Sequence, residues 1–177
     1  MYRLFVALRL PTMVREQLLG LMGGVAGARW QDNSQLHLTL RFVGEVDGRM
    51  AEDIMFALET VRNQAVELAL DGIGTFDRKG RVDALWAGVS PVAHLNALHH
   101  KIDHALVRIG LPSESRAYRP HVTLARFSRL GGDLSEFATL HAGLASPPFR
   151  IDSFGLFESH LGGCSAEYEQ VRRYTLS

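Results

Sequence analysis

His37-Leu38-Thr39-Leu40-Arg41-Phe42 is echoed later in the chain by His121-Val122-Thr123-Leu124-Ala125-Arg126. The chain has eight histidines, seven threonines and 25 leucines among 177 residues. At those frequencies about 0.05 His-x-Thr-Leu matches arise by chance, so two appear in roughly one shuffled sequence per thousand. Both copies read as strands. On a strand, residues i and i+2 face one side. His37 therefore points with Thr39 and His121 with Thr123, while Leu38, Leu40, Val122 and Leu124 point oppositely into a core.

Outward from these strands, the pattern predicts an α+β chain. Residues 2–8 alternate and form a first strand. Pro11 opens a helix carrying Val14, Leu18, Leu21 and Met22, stopped at Gly23-Gly24. Trp30 starts an extended stretch, and Leu36 to Val43 is the strand of the first motif. Asp47 caps a helix to about Arg62 with Met50, Ile54, Leu58 and Val61 on one stripe. Strands at Val66–Ile73 and Arg81–Val89 flank a hairpin tip, Asp77-Arg78-Lys79-Gly80. Pro91 opens a long helix with Leu95, Leu98, Ile102, Leu106 and Ile109 on one face. A loop, Ser113 to Pro120, leads into the second motif's strand, His121–Phe127. Gly131-Gly132 breaks the chain before a short helix around Leu134–His141. Strands at Phe149–Phe157 and Tyr168–Leu176 complete it. This is not the regular alternation of a doubly wound sheet.

Composition narrows the classes. Lysines plus arginines equal aspartates plus glutamates at 19 each, which argues against a protein that coats nucleic acid nonspecifically. The basic residues are 17 arginines and two lysines, a bias that codon usage explains and that also suits phosphate. A single cysteine, Cys164, excludes an internal disulfide and a cysteine-built zinc site. No apolar run is long enough to span a bilayer or to form a signal peptide. A cytoplasmic protein is expected, a monomer by default.

Two strands of this kind side by side would set two imidazoles and two hydroxyls around one cavity. Imidazole titrates near neutrality, so one ring can hold a proton while the other lacks it. Acid–base attack on a phosphodiester needs that pair: a base for the nucleophile and an acid for the leaving oxygen. A single copy would more simply be a satisfied histidine beside a good strand former; two matched copies are not so easily explained.

The sequence resembles the 2H phosphoesterase superfamily, and within it the RNA 2′,3′-cyclic phosphodiesterases, historically called 2′-5′ RNA ligases. Besides the two motifs, the resemblance rests on Arg3-Leu4-Phe5-Val6-Ala7, on Val43-Gly44, on Tyr118-Arg119-Pro120 before His121, and on Phe154-Gly155-Leu156-Phe157-Glu158-Ser159. It implies a single domain over residues 1–177 built of two similar lobes, pseudo-twofold, with an antiparallel sheet in each lobe, helices outside and the active site between. It implies hydrolysis of RNA 2′,3′-cyclic phosphate ends to 2′-phosphates without metal or other cofactor. His37 would be the general acid and His121 the base, with Thr39 and Thr123 on phosphate oxygens. Arg126 and Tyr118 are candidates for RNA contact, although strict alternation turns Arg126 away from His121. Alternatives are another oligonucleotide substrate, 2′-5′ ligation, or a non-catalytic module that binds RNA ends.

Other features carry less. His99-His100-Lys101-Ile102-Asp103-His104 reads as the exposed polar face of its helix. His160 has no partner at a telling spacing. Arg78, Lys79 and Arg81 read as a solvated hairpin tip.

Overall fold

A computed structural model describes residues 1–128 and 132–177, so Gly131 of the expected Gly131-Gly132 break lies outside the described residues. Nine strands and four helices follow one another among these residues. The strands are β1 (Tyr2–Arg9), β2 (Ala28–Trp30), β3 (His37–Val46), β4 (Val66–Arg78), β5 (Arg81–Ser90), β6 (Val122–Phe127), β7 (Phe149–Ile151), β8 (Ser153–Leu161) and β9 (Ala166–Thr175). The helices are α1 (Thr12–Leu21), α2 (Gly48–Glu59), α3 (Ala93–Val107) and α4 (Ser135–His141).

All pairings are antiparallel, in the order β7-β4-β5-β6-β3-β1-β8-β9, with β2 on β6. Along that order four strands lie on each side of the β3–β6 junction, with β2 a fifth on the β6 side, and the junction is one ladder step, Leu38 opposite Val122. The duplicated motifs thus meet at the middle of the sheet.

One face of the sheet is packed. Leu4, Val6 and Leu8 of β1, Leu38 and Leu40 of β3, and Val122 and Leu124 of β6 join the helix residues Leu18, Ile54, Leu58, Leu95, Leu98, Ile102 and Leu106 in a single core. These are the stripes that helical and strand periodicity mark. Asp47 caps α2, its carboxylate accepting from Met50 N at 2.8 Å, which satisfies one of the helix's free donors. Among the described residues, the other face carries a small buried cluster, Phe5, Ala7 and Phe157, with Tyr168 against it.

Two expectations are corrected here. The single strand expected at Phe149–Phe157 is two strands, β7 and β8, broken at Asp152. β7 pairs with β4 at one end of the sheet, and β8 pairs with β1 and β9 near the other. Asp152 leaves the ladder and gives its carbonyl to Leu176 N at 2.7 Å. Because one residue bridges the two ends, the sheet is curled.

β4 runs on to Arg78, well past the expected stop at Ile73, and the turn is the two residues Lys79-Gly80, at φ +53° and +75°. Both positive angles suit a tight hairpin whose twist matches the strands. Gly74, just past the expected stop, belongs to β4. A Cβ there would lie 2.3 Å from the Trp86 ring, so the glycine makes room for the indole.

Among the described residues, no helix is long and apolar enough to cross a membrane.

Candidate active site

The cleft opens on the face of the sheet opposite the main core. His37, Thr39, His121, Thr123 and Arg126 line one cavity of about 350 Å³, with Phe5, Phe42 and Tyr168 in its walls. The structure therefore brings both motifs to one place.

The two imidazoles are held alike. His37 Nδ1 donates to the Gln35 carbonyl at 2.6 Å, and His121 Nδ1 to the Arg119 carbonyl at 2.7 Å. Each carbonyl belongs to the residue two before its histidine. A carbonyl can only accept, so each Nδ1 carries the proton and each Nε2 is left for chemistry. His37 Nε2 lies 3.1 Å from Thr39 Oγ1, which donates to it in this tautomer.

Aromatic rings flank both histidines, a feature that the motif alone does not reveal. His37 lies 4.9 Å from Phe5 and 5.1 Å from Tyr168, centroid to centroid. His121 meets Phe76 edge-on at 4.7 Å and Trp86 at 6.1 Å. Phe5 is legible as an outward position on β1, but Tyr168, Phe76 and Trp86 arrive through pairings that only the folded sheet defines.

Burial lowers the His37 imidazole to about 4; the bond to Gln35 opposes this, and the charges of Arg126, His121 and Arg9 add to it. Burial also lowers His121, opposed by its bond to Arg119 and reinforced by Arg126. Both rings are thus biased toward the neutral form in the empty cleft.

Arg126 reaches this cavity because alternation is reset between it and Thr123. Leu85 pairs with Ala125 but Trp86 pairs with Thr123, which leaves Leu124 as an extra residue in β6. Leu124 and Ala125 are both buried, and Arg126 emerges on the histidine side. β3 does the same: Val6 pairs with Arg41 and Ala7 with Thr39, so Leu40 is the extra residue. Phe42 then faces the cleft at the position that Arg126 holds in the other motif. A bulge re-aims a side chain in this way.

Tyr118 is half-buried. Its hydroxyl donates to the Thr39 carbonyl at 3.1 Å, and its ring stacks on His99 at 4.2 Å, the planes 6° apart. His99 is only 5 % exposed and its Nδ1 donates to the Leu40 carbonyl at 2.7 Å, so it is not part of an exposed polar face. His100 and His104 are exposed as expected. Arg41, 7 % exposed, bonds Asp103 Oδ1 through Nε at 2.7 Å and also donates to the carbonyls of Phe42 and Pro112. Asp103 in turn accepts from Ser113 Oγ and Glu114 N, so Arg41 and Asp103 pin the loop before His121 onto the strand of His37.

His160 does have partners: Glu169 at 3.3 Å across the β8–β9 ladder and Glu158 at 3.8 Å. This trio, with His160 and Glu169 exposed and Glu158 half-buried, is, among the described residues, the only group of three spaced to hold a metal ion, and none of its members lines the cleft.

Two imidazole–hydroxyl pairs, brought together by one ladder step, define the class: a two-histidine phosphoesterase. The family model of the 2′-5′ RNA ligase superfamily matches residues 25–163, and the chain belongs to that family. It is 25 % identical over 173 residues to the RNA 2′,3′-cyclic phosphodiesterase of Archaeoglobus fulgidus, spanning 96 % of this chain and 98 % of that one. The Escherichia coli protein of the same name is 27 % identical over 179 residues, covering 99 % of this chain and 97 % of its own. The solved structure of TT0787 of Thermus thermophilus shares the fold at a TM-score of 0.84 and 21 % identity, over 98 % of this chain and 97 % of that one.

Proposed function

We propose that the protein hydrolyses RNA 2′,3′-cyclic phosphate ends to 2′-phosphomonoesters by acid–base catalysis with His37 and His121, without a metal ion. The observation that carries this reading is the matched pair: both Nδ1 atoms tied to backbone carbonyls, both rings lining one cavity with Nε2 unprotonated, His37 Nε2 accepting only from the Thr39 hydroxyl. The names of the relatives supply the cyclic phosphate and the RNA.

In this scheme one neutral imidazole takes a proton from water as its oxygen attacks phosphorus. The bond from phosphorus to O3′ breaks on the far side, and the other imidazole, protonated, gives its proton to O3′. The Thr39 and Thr123 hydroxyls donate to the nonbridging oxygens. Each proton-transfer group contributes typically ~10²–10⁴ in rate. We assign His37 as acid and His121 as base, from the resemblance. The resting electrostatics pull the other way, since His37 is the ring held neutral to lower pH.

The decisive measurement is phosphorus NMR of the product from an oligoribonucleotide with a 2′,3′-cyclic end, incubated in EDTA. A 2′-phosphate supports the reading; no turnover, or turnover only with added metal, overturns it. The roles separate with a cyclic substrate whose 3′ leaving atom is sulfur, which needs no acid. It should rescue His37→Ala and not His121→Ala; the reverse exchanges the assignments.

A further inference from the structure

Beside the cleft lies a second cavity of about 410 Å³, large enough for a nucleotide-sized ligand. Phe5 lines the cleft, and Phe157, stacked on it at 5.4 Å, lines this second basin. Arg9 at its edge is the ladder partner of His37. Tyr168 in the cleft and Gln170 in the basin are two residues apart on β9. The two cavities therefore neighbour each other along one face of the sheet.

The basin is strongly basic. Arg9, Arg15, Arg150 and Arg173 line it against one carboxylate, Asp152, which pairs with Arg173 at 3.2 Å. Among the described residues, Arg9, Arg15 and Arg150 make no ion pair. Arg15 is the telling one. It is only 8 % exposed, yet its bonds go to the Leu10 carbonyl at 3.0 Å, Thr12 Oγ1 at 3.1 Å and Asn33 Oδ1 at 2.5 Å, all neutral acceptors. Burial and the nearby Arg9 weaken its hold on its proton, with the Glu16 carboxylate working the other way. A buried guanidinium whose direct bonds all go to neutral acceptors is costly, and an anion in the basin would relieve it. Helix α1 starts at the same wall with no acidic residue in its first turn, so its positive end adds to the field.

We propose that this arginine basin binds backbone phosphates of the RNA chain leading to the reacting end, which makes the enzyme favour polynucleotide ends over cyclic mononucleotides. Guanidinium forks match phosphate oxygens in pairs, and the basin's place beside the cleft favours a chain phosphate over a free one. The proposal rests on the cyclic phosphodiesterase reading.

The test compares kcat/KM for a nucleoside 2′,3′-cyclic phosphate and a tetraribonucleotide with the same end, over a salt series. The variant is R150Q/R173Q, since both side chains are exposed and Arg15 and Arg9 have other duties. Wild type should prefer the tetranucleotide by ~10-fold or more. The variant should lose most of that preference, and its log–log salt slope should flatten by ~1.4, at ~0.7 per phosphate contact on a single strand. Turnover of both substrates with the preference and slope unchanged in the variant overturns the basin and leaves the activity standing. If neither substrate turns over, the activity reading has failed, and fluorescence anisotropy with a labelled tetraribonucleotide 3′-phosphate decides the basin alone. A tenfold weaker Kd in the variant upholds it, and equal affinity overturns it. Inorganic tripolyphosphate is the second probe. If the variant loses tripolyphosphate binding but keeps the oligonucleotide's, the basin takes free polyphosphate and the proposal falls.

Discussion

The Tyr118 hydroxyl donates to the main-chain carbonyl of Thr39 across 3.1 Å. Tyr118 stands three residues before one candidate histidine, and Thr39 two residues after the other. The bond therefore ties the approach to one motif to the backbone of its counterpart. Tyr118→Phe keeps the stack on His99 and removes only this bond. It should cost about 1 kcal/mol in denaturant unfolding and lower kcat/KM by a few fold. Tyr118→Ala also leaves a cavity and should cost ~3–5 kcal/mol. Equal stability of wild type and the alanine variant would contradict the packing described.

The pH profile follows from the lowered histidines. The base must be neutral and the acid protonated, so kcat/KM, which reports the free enzyme, should trace a bell centred below pH 6.5. An anionic phosphate in the cleft favours imidazolium, so the kcat bell should lie at higher pH. Stability has its own sign. A folded value near 4 against 6.5 unfolded means that the unfolded chain binds more protons between the two. His37's contribution is thus complete above pH 6.5 and is lost as pH falls toward 4. Unfolding midpoints measured across that range should drop for wild type and flatten in His37→Gln.

Arg126 lowers both histidines. Arg126→Ala should therefore move both limbs of the kcat/KM profile to higher pH, besides weakening turnover about tenfold or more. Arg126→Lys keeps the charge and should leave the limbs in place. A shift of equal size in both variants would count against the electrostatic account.

Burial raises Asp103, but hydrogen bonds from Arg41, Glu114 N and Ser113 outweigh it and hold the carboxyl below its ordinary range. The stability from this pairing is present above pH 3.8 and is lost as pH falls through the lowered value. Arg41→Met strands the carboxylate and should cost about 3 kcal/mol at neutral pH. Adding Asp103→Leu should restore much of that stability while the loop before His121 stays unpinned, so kcat should remain low. Full recovery of both would reduce Arg41 to a packing role.

How far the sequence reaches depends on the distance over which each feature is decided. The helix stripes and the two motif strands are local, and Leu38, Leu40, Val122 and Leu124 lie in the core as period two requires. The split at Asp152 is only faintly marked locally, by Asp152-Ser153 inside an otherwise β-prone run, and the break is set by a distant bond to Leu176. Arg126 eludes strict alternation for a similar reason: the extra residue at Leu124 exists only against Leu85 and Trp86 of a neighbouring strand. His99 looks like one of several surface histidines until the Leu40 carbonyl and Tyr118 close over it.

The paired bulges at Leu40 and Leu124 bear on direction. A duplicated frame presents the same two groups to a substrate entering either way round, and an RNA end has a 2′ side and a 3′ side. The resets place an aromatic ring, Phe42, at one corner and a guanidinium, Arg126, at the other. The frame is near-symmetric, so what tells the two ends of the cleft apart is carried by the side chains set on it, these two corners among them.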